Sequence, residues 1–188
     1  MRLLDLGLSV QRQLRDLPYP AYLLAMGVIG QELQDIYADL LPGDGDMLAR
    51  QTVDTVKVAY LSGQATVDGA WQLHRRWEKL IEDPATDGPP GMFSAMYVFD
   101  LLACELAGKI RPGAAISQVT NAAKLPGPQA REPLKPQLVR MNPAAQADES
   151  SPAVRLMRKF GEAATLAARQ HKTGQRCDPG QFHSVVFG

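Results

Sequence analysis

"MFSAMYVFDLLACELAGK", residues 92–109, is apolar on nearly every side of a helical projection. A helix of that kind has no face to give to water, so it must run through the middle of a protein. The expectation is an all-α fold built around it. Two acids interrupt the run. Asp100 lies between Phe93, Met96, Cys104 and Ala107, while Glu105 falls on another face. A carboxylate among apolar neighbours is either paired or has a raised pKa, and raised values gather at functional sites. Asp100 is therefore the candidate working acid. The competing reading is a structural acid bonded to a tyrosine, an arginine or a helix N-terminus. Acid/base chemistry needs two groups converging on one substrate, and these two acids do not converge by themselves.

Working outward, "GAWQLHRRWEKLIED" (69–83) belongs to a fourth helix over about 67–82, with Thr66 as its cap and Asp68 in its first turn. Ala70, Leu73, His74, Trp77, Leu80 and Ile81 form one stripe, and Trp71 falls outside it, beside Arg75, Glu78 and Glu82. Either Val67 widens the stripe and Trp71 is core, or Trp71 waits for a partner. His74 reads first as a packed histidine. It would pair with Cys104 as a nucleophile only if the fourth and fifth helices brought them together, and nothing in the spacing asks for that.

A second central helix is expected over about 20–41. Tyr22, Met26, Ile29, Leu33, Ile36 and Leu40 step by four and three, and "AYLLAMGVIG" carries no charge. Gly27 and Gly30 weaken a helix, so they predict close approach of another backbone. A first helix over about 2–16 stops before Pro18 and Pro20, and a third over about 47–62 follows the turn "PGDGD" with Asp46 as N-cap. These five helices make a bundle body over residues 1–111.

Residues 112–188 read as an arm and a C-terminal helix packing on that body, one domain overall. "PGAAISQVTNAAK" suits a short helix. Six prolines between Pro126 and Pro152 then exclude a continuous helix and predict an extended arm, with "QLVRM" (137–141) as a short edge strand. Ser151 caps a long helix with Pro152 in its first position, and Ala153, Met157, Phe160, Ala164 and Ala167 form its docking seam. "CDPGQ" reads as a turn and "FHSVVF" (182–187) as a short strand, so the β content is at most a minor two-strand element.

Charge divides the chain. Residues 1–108 carry 8 Lys+Arg against 15 Asp+Glu, and residues 109–188 carry 12 against 5. Self-neutralisation, with the basic part lying on the acidic body, needs no other molecule. Glu32, Asp35 and Asp39 share one face of the second helix. A carboxylate metal site there would need matching ligands from facing helices, and a solvated acidic face is the simpler reading. His171, Cys177 and His183 lack the close ligand pair of a zinc site. No metal and no cofactor are assigned. Arg131, Lys135 and Arg140 on the arm, with Arg155, Arg158, Lys159, Arg169, Lys172 and Arg176 beyond it, could meet phosphates, but no aromatic residue falls among the arm's basic ones and the acidic half would repel a polyanion. Nucleic acid is disfavoured.

Two cysteines in such different contexts make no disulfide framework, the start reads as a helix and not a signal peptide, and no stretch suits a bilayer. The Ala, Arg, Gly and Pro bias suggests a bacterium, and the expected compartment is the cytoplasm. The expected function is protein binding of immunity or adaptor type. Trp71, Glu32, Asp35, Asp39, Glu78 and Glu82 would take a basic protein, or a second copy would dock through the arm and C-terminal helix. The alternative is an enzyme or small-ligand-binding protein with a pocket between the fourth and fifth helices, using Asp100, Tyr97 and His74. No phosphate-cradling glycine loop, nucleophile elbow or dinucleotide fingerprint is present.

Overall fold

A computed structural model describes residues 1–84, 86, 90–125 and 145–188. Among the described residues there are eight α-helices and no strand: α1 (Leu3–Arg15), α2 (Tyr19–Tyr37), α3 (Gly45–Ser62), α4 (Val67–Glu82), α5 (Pro90–Leu106), α6 (Ile116–Ala123), α7 (Pro152–Lys172) and α8 (Pro179–Phe187). The fold is all-α, as the apolar run at 92–109 requires. No helix among these residues is long and apolar enough to cross a membrane.

α2 is the spine. Every residue from Ala21 to Gly30 is buried, because α3, α5, α7 and α8 all pack on it. What approaches its glycines is side chain and not the expected backbone: a Cβ on Gly30 would lie 3.1 Å from the Val53 side chain of α3. α5 is the second central helix, with Ala95, Met96, Val98, Phe99, Leu102 and Ala103 buried. α4 closes the body against α3 and α5. Trp77 anchors it, fully buried, donating to Thr52 Oγ1 at 3.0 Å and stacked on Phe99. α7 lies on α1 and α2 along its apolar seam, with Met157, Phe160, Ala164 and Ala167 buried.

Several boundaries shift for local reasons. α2 ends at Tyr37 and its last turn tightens into a 3-10 turn, Ala38–Leu40. Asp39 therefore leaves the row that Glu32 and Asp35 begin. Asp44, not Asp46, holds the N-cap position of α3; Asp46 sits in the first turn and accepts from Gln34 at 2.5 Å. Thr66 and Ser151 occupy their expected cap positions without a side-chain hydrogen bond.

"FHSVVF" is a helix and not a strand. Asp178 caps it by accepting from the Gln181 N–H at 2.9 Å, and Pro179 occupies the first turn. Phe182 and Val186, four residues apart, then share the buried face, while Val185 is exposed. The β-branched pair read as strand, but the cap and the one-turn spacing decide the matter. The β content among the described residues is one antiparallel bridge, Arg2 with Gln146, which ties the segment before α7 to the N-terminus. The proposed strand 137–141 and the arm's Arg131, Lys135 and Arg140 lie outside the described residues.

Candidate functional site

The two acids of α5 have different surroundings. Glu105 is buried and fully engaged. It accepts from the Tyr22 hydroxyl at 2.5 Å and from the Ala115 N–H, just before α6, at 3.1 Å. The same hydroxyl accepts from the Gly113 N–H at 3.2 Å. Gly113 has φ +97, a left-handed conformation that suits glycine, and it turns the chain back toward α2. Burial pushes the Glu105 pKa up, with its hydrogen bonds pulling the other way. The structural acid bonded to a tyrosine and a helix N-terminus is thus Glu105. The sequence had raised that role for Asp100.

Asp100 meets a different set. Its Oδ1 lies 2.6 Å from His74 Nδ1. Cys104 Sγ lies 3.0 Å from the same nitrogen, and Lys109 Nζ lies 3.0 Å from His74 Nε2. Asp100 and Cys104 reach the imidazole together because they are one turn apart on α5. His74 comes from the buried stripe of α4. Lys109 arrives by the way α5 ends. Gly108 is left-handed at φ +70, and the Lys109 N–H bonds back to the Cys104 carbonyl at 3.0 Å. This is a Schellman-type stop, and it folds Lys109 over the last turn.

The network assigns the imidazole proton. A lysine ammonium only donates, so Nε2 accepts from Lys109. The ring proton then sits on Nδ1 and is donated to Asp100, with the Cys104 sulfur at its side. His74 and Cys104 are each 5% exposed. The Asp100 side chain is 14% exposed. Trp71 covers the group. It is half-buried, with its ring 5.6 Å from His74. Lys109 Nζ lies 4.8 Å and Arg75 5.2 Å from the centre of that ring. Trp71 is thus neither fully buried nor free surface, and its ring carries two cations of its own chain.

Burial raises the Asp100 pKa above the usual carboxylate range; the hydrogen bond with His74 opposes this without cancelling it. Burial, then the Asp100 charge, push the Cys104 thiol up to about 11. At neutral pH the sulfur therefore keeps its proton and is a poor nucleophile. As a metal donor the same group is suitable, because a bound ion removes the proton outright.

The other candidates go elsewhere. Tyr97 stands 42% exposed on α5, and Glu78 and Glu82 are exposed on α4. Glu32 is bonded to His183 of α8 at 3.1 Å. Burial raises its pKa against the pull of that histidine. Asp35 beside it is exposed, and the donor atoms of Glu32, Asp35 and His183 lie within 4.8 Å of one another. Asp39 is exposed in the 3-10 turn. His171 lines a cavity of about 260 Å³ between the start of α2 and the ends of α3 and α7, whose wall includes Tyr19, Tyr60 and Arg176. Arg176 donates to the Leu61 carbonyl, and Cys177 pairs with Tyr60. His171, Cys177 and His183 thus take three separate places. The arginine and lysine ion pairs of α7, Arg158–Glu149 and Lys159–Glu162, stay within its own segment.

Sequence reasoning weighed Cys104 with His74 and set the pair aside, although α4 and α5 do bring them to 3.0 Å, and it missed Lys109 as a site member. The signal for Lys109 was the Gly108–Lys109 stop. The Cys104–His74 contact depends on how α4 and α5 register, and one helix's periodicity says nothing of that. No protein-family model, curated protein or solved structure matches the chain.

Proposed function

We propose that the protein binds a small ligand at the junction of α4 and α5, with Asp100, His74 and Cys104 as its contact groups and Trp71 and Lys109 over them. The observation that carries this reading is the convergence on one imidazole: an acid with a raised pKa, a thiol and an exposed lysine all lie within 3.0 Å of its two nitrogens. Structural histidines need one or two partners. This one has three of different chemistry, near the surface and under a single indole.

The test is thermal melting of the wild type and Asp100→Asn against a panel of small organic acids, amines, heterocycles and metal ions. A ligand at 100 times its Kd stabilises the native state by about 2.7 kcal/mol. One chemical class should raise the melting temperature of the wild type and fail to raise that of the variant. A panel in which the two respond alike throughout would reject the reading.

A second reading is a basic protein partner. It is favoured by the exposure of Asp35, Glu78 and Glu82, since acidic faces steer basic partners. Trp71 is less suited to it than the sequence implied, because Arg75 and Lys109 already occupy its ring. Pull-downs at low and high salt separate the two readings. A stoichiometric basic protein lost with Glu78→Lys and Glu82→Lys supports this second one; retention unchanged by both charge reversals rejects it.

A further inference from the structure

We propose that the ligand at the α4–α5 junction is a thiophilic divalent metal ion of the zinc or cobalt class, held by His74 Nδ1, Asp100 and Cys104. The inference rests on the reading that this junction is the working site.

The geometry is that of a closed hand. The three donor atoms lie within 4.8 Å of one another. Zinc bonds of about 2.0 Å to nitrogen and oxygen and about 2.3 Å to sulfur place tetrahedral donors about 3.3–3.6 Å apart. The His74–Asp100 and His74–Cys104 separations are 2.6 and 3.0 Å, so these two pairs need to part by only about 0.5–0.7 Å for an ion to enter, with Asp100 and Cys104 no more than 4.8 Å from one another. Asp100 and Cys104 at i and i+4 supply two donors from one rigid helix, and His74 supplies the third from its neighbour.

The donor set selects the ion. Imidazole and thiolate favour zinc and cobalt over magnesium and calcium, which prefer oxygen ligands. Three protein donors leave a fourth position for water or a further ligand, the pattern of reactive rather than purely structural zinc sites. On coordination the Cys104 thiol gives its proton to solvent, and the imidazole proton moves from Nδ1 to Nε2.

Lys109 makes the arrangement two-state. With no ion bound, it donates to Nε2. Once Nε2 carries a proton it can no longer accept, so Lys109 must leave. It is exposed, sits on the turn after α5, and already touches the Trp71 ring. The lysine thus competes with the ion, and metal entry changes the surroundings of Trp71. Lys109→Ala is expected to tighten metal binding by about tenfold, the order of one cation's repulsion of a divalent ion at high dielectric.

The test is titration of the full chain with Co²⁺ alone, in the presence of a reductant that does not bind metal. The prediction is one ion per chain with a thiolate-to-cobalt charge-transfer band, and a change in Trp71 fluorescence that Trp71→Phe removes. The band should vanish in Cys104→Ser, weaken at least tenfold in apparent affinity in Asp100→Asn, and persist in Cys177→Ser, since Cys177 pairs with Tyr60 away from the site. Circular dichroism confirms that each variant is folded. A folded wild type with no thiolate band, or a band that Cys177→Ser removes and Cys104→Ser does not, overturns the metal assignment. The ligand-site reading would then stand or fall separately, on whether an organic member of the melting panel distinguishes wild type from Asp100→Asn.

Discussion

Asp100 and Glu105 are five residues apart on one helix, both have pKa values raised by burial, and their partners differ in kind. Glu105 faces a tyrosine hydroxyl and the backbone at the start of α6. Those partners cannot change protonation near neutral pH or swing away. Asp100 faces a histidine, with a thiol and an exposed lysine on the same ring. Of these, the lysine is exposed and can swing away. A raised pKa alone therefore does not separate a structural acid from a working one. The nature of the partners does.

The sharpest way to break this contrast is to remove each acid. Glu105→Ala leaves the Tyr22 hydroxyl and the Ala115 N–H buried without their acceptor, at about 1–3 kcal/mol each, so a loss of about 3–5 kcal/mol is expected in urea unfolding. Asp100→Asn keeps an acceptor for His74 and should cost less than about 1 kcal/mol. Equal losses would erase the distinction.

Trp71→Ala comes next. The half-buried indole should contribute about 1–2 kcal/mol, against about 3–5 kcal/mol for Trp77→Ala, where a fully buried ring leaves a cavity and the Thr52 hydroxyl, still donating to the Leu48 carbonyl, loses the indole donor. Melting curves of the two variants rank them. A Trp71 loss as large as that of Trp77 would make both tryptophans core.

A smaller effect sharpens the comparison through pH. The folded pKa of Glu105 lies above its ordinary 4.5. An acid shifted in this direction adds stability that is full below the unfolded pKa and lost as pH rises through the folded value. In the metal-free protein, Glu105→Gln should therefore flatten the fall in stability in the window above pH 4.5. Parallel denaturation series that keep the same slope would contradict the assigned burial cost. Smallest of all, Lys109→Ala should leave stability within about 0.5 kcal/mol, because its side chain is exposed. Its effect belongs to ligand affinity.

Much of the fold was readable because it is written in one-dimensional periodicity. The charge-free start of α2, the all-round apolar α5 and the stripe of α4 each specify burial without reference to a neighbour. α8 was misread because Val185, Val186 and Phe187 carry strand propensity, while the Asp178–Pro179 cap that overrides it was taken for a turn. The site was half readable. Asp100 stood out as a charge in an apolar run, and His74 as a polar residue on a buried stripe. Their meeting, and the arrival of Cys104 and Lys109, depend on the rotation and offset of α4 against α5. Those are fixed by packing such as Trp77 on Phe99 and by the left-handed Gly108. Glu105 was placed on another face but its structural role was not assigned, for the same reason: its partners, Tyr22 and Ala115, lie on other elements.

The most direct measurement is the melting temperature of the wild type and Asp100→Asn, each with and without zinc. Nearly equal values are expected without the ion, and a rise of several degrees with it in the wild type alone. An Asp100→Asn protein that melts far below the wild type without zinc, with no zinc response in either, would make Asp100 a second Glu105 and contradict the central claim.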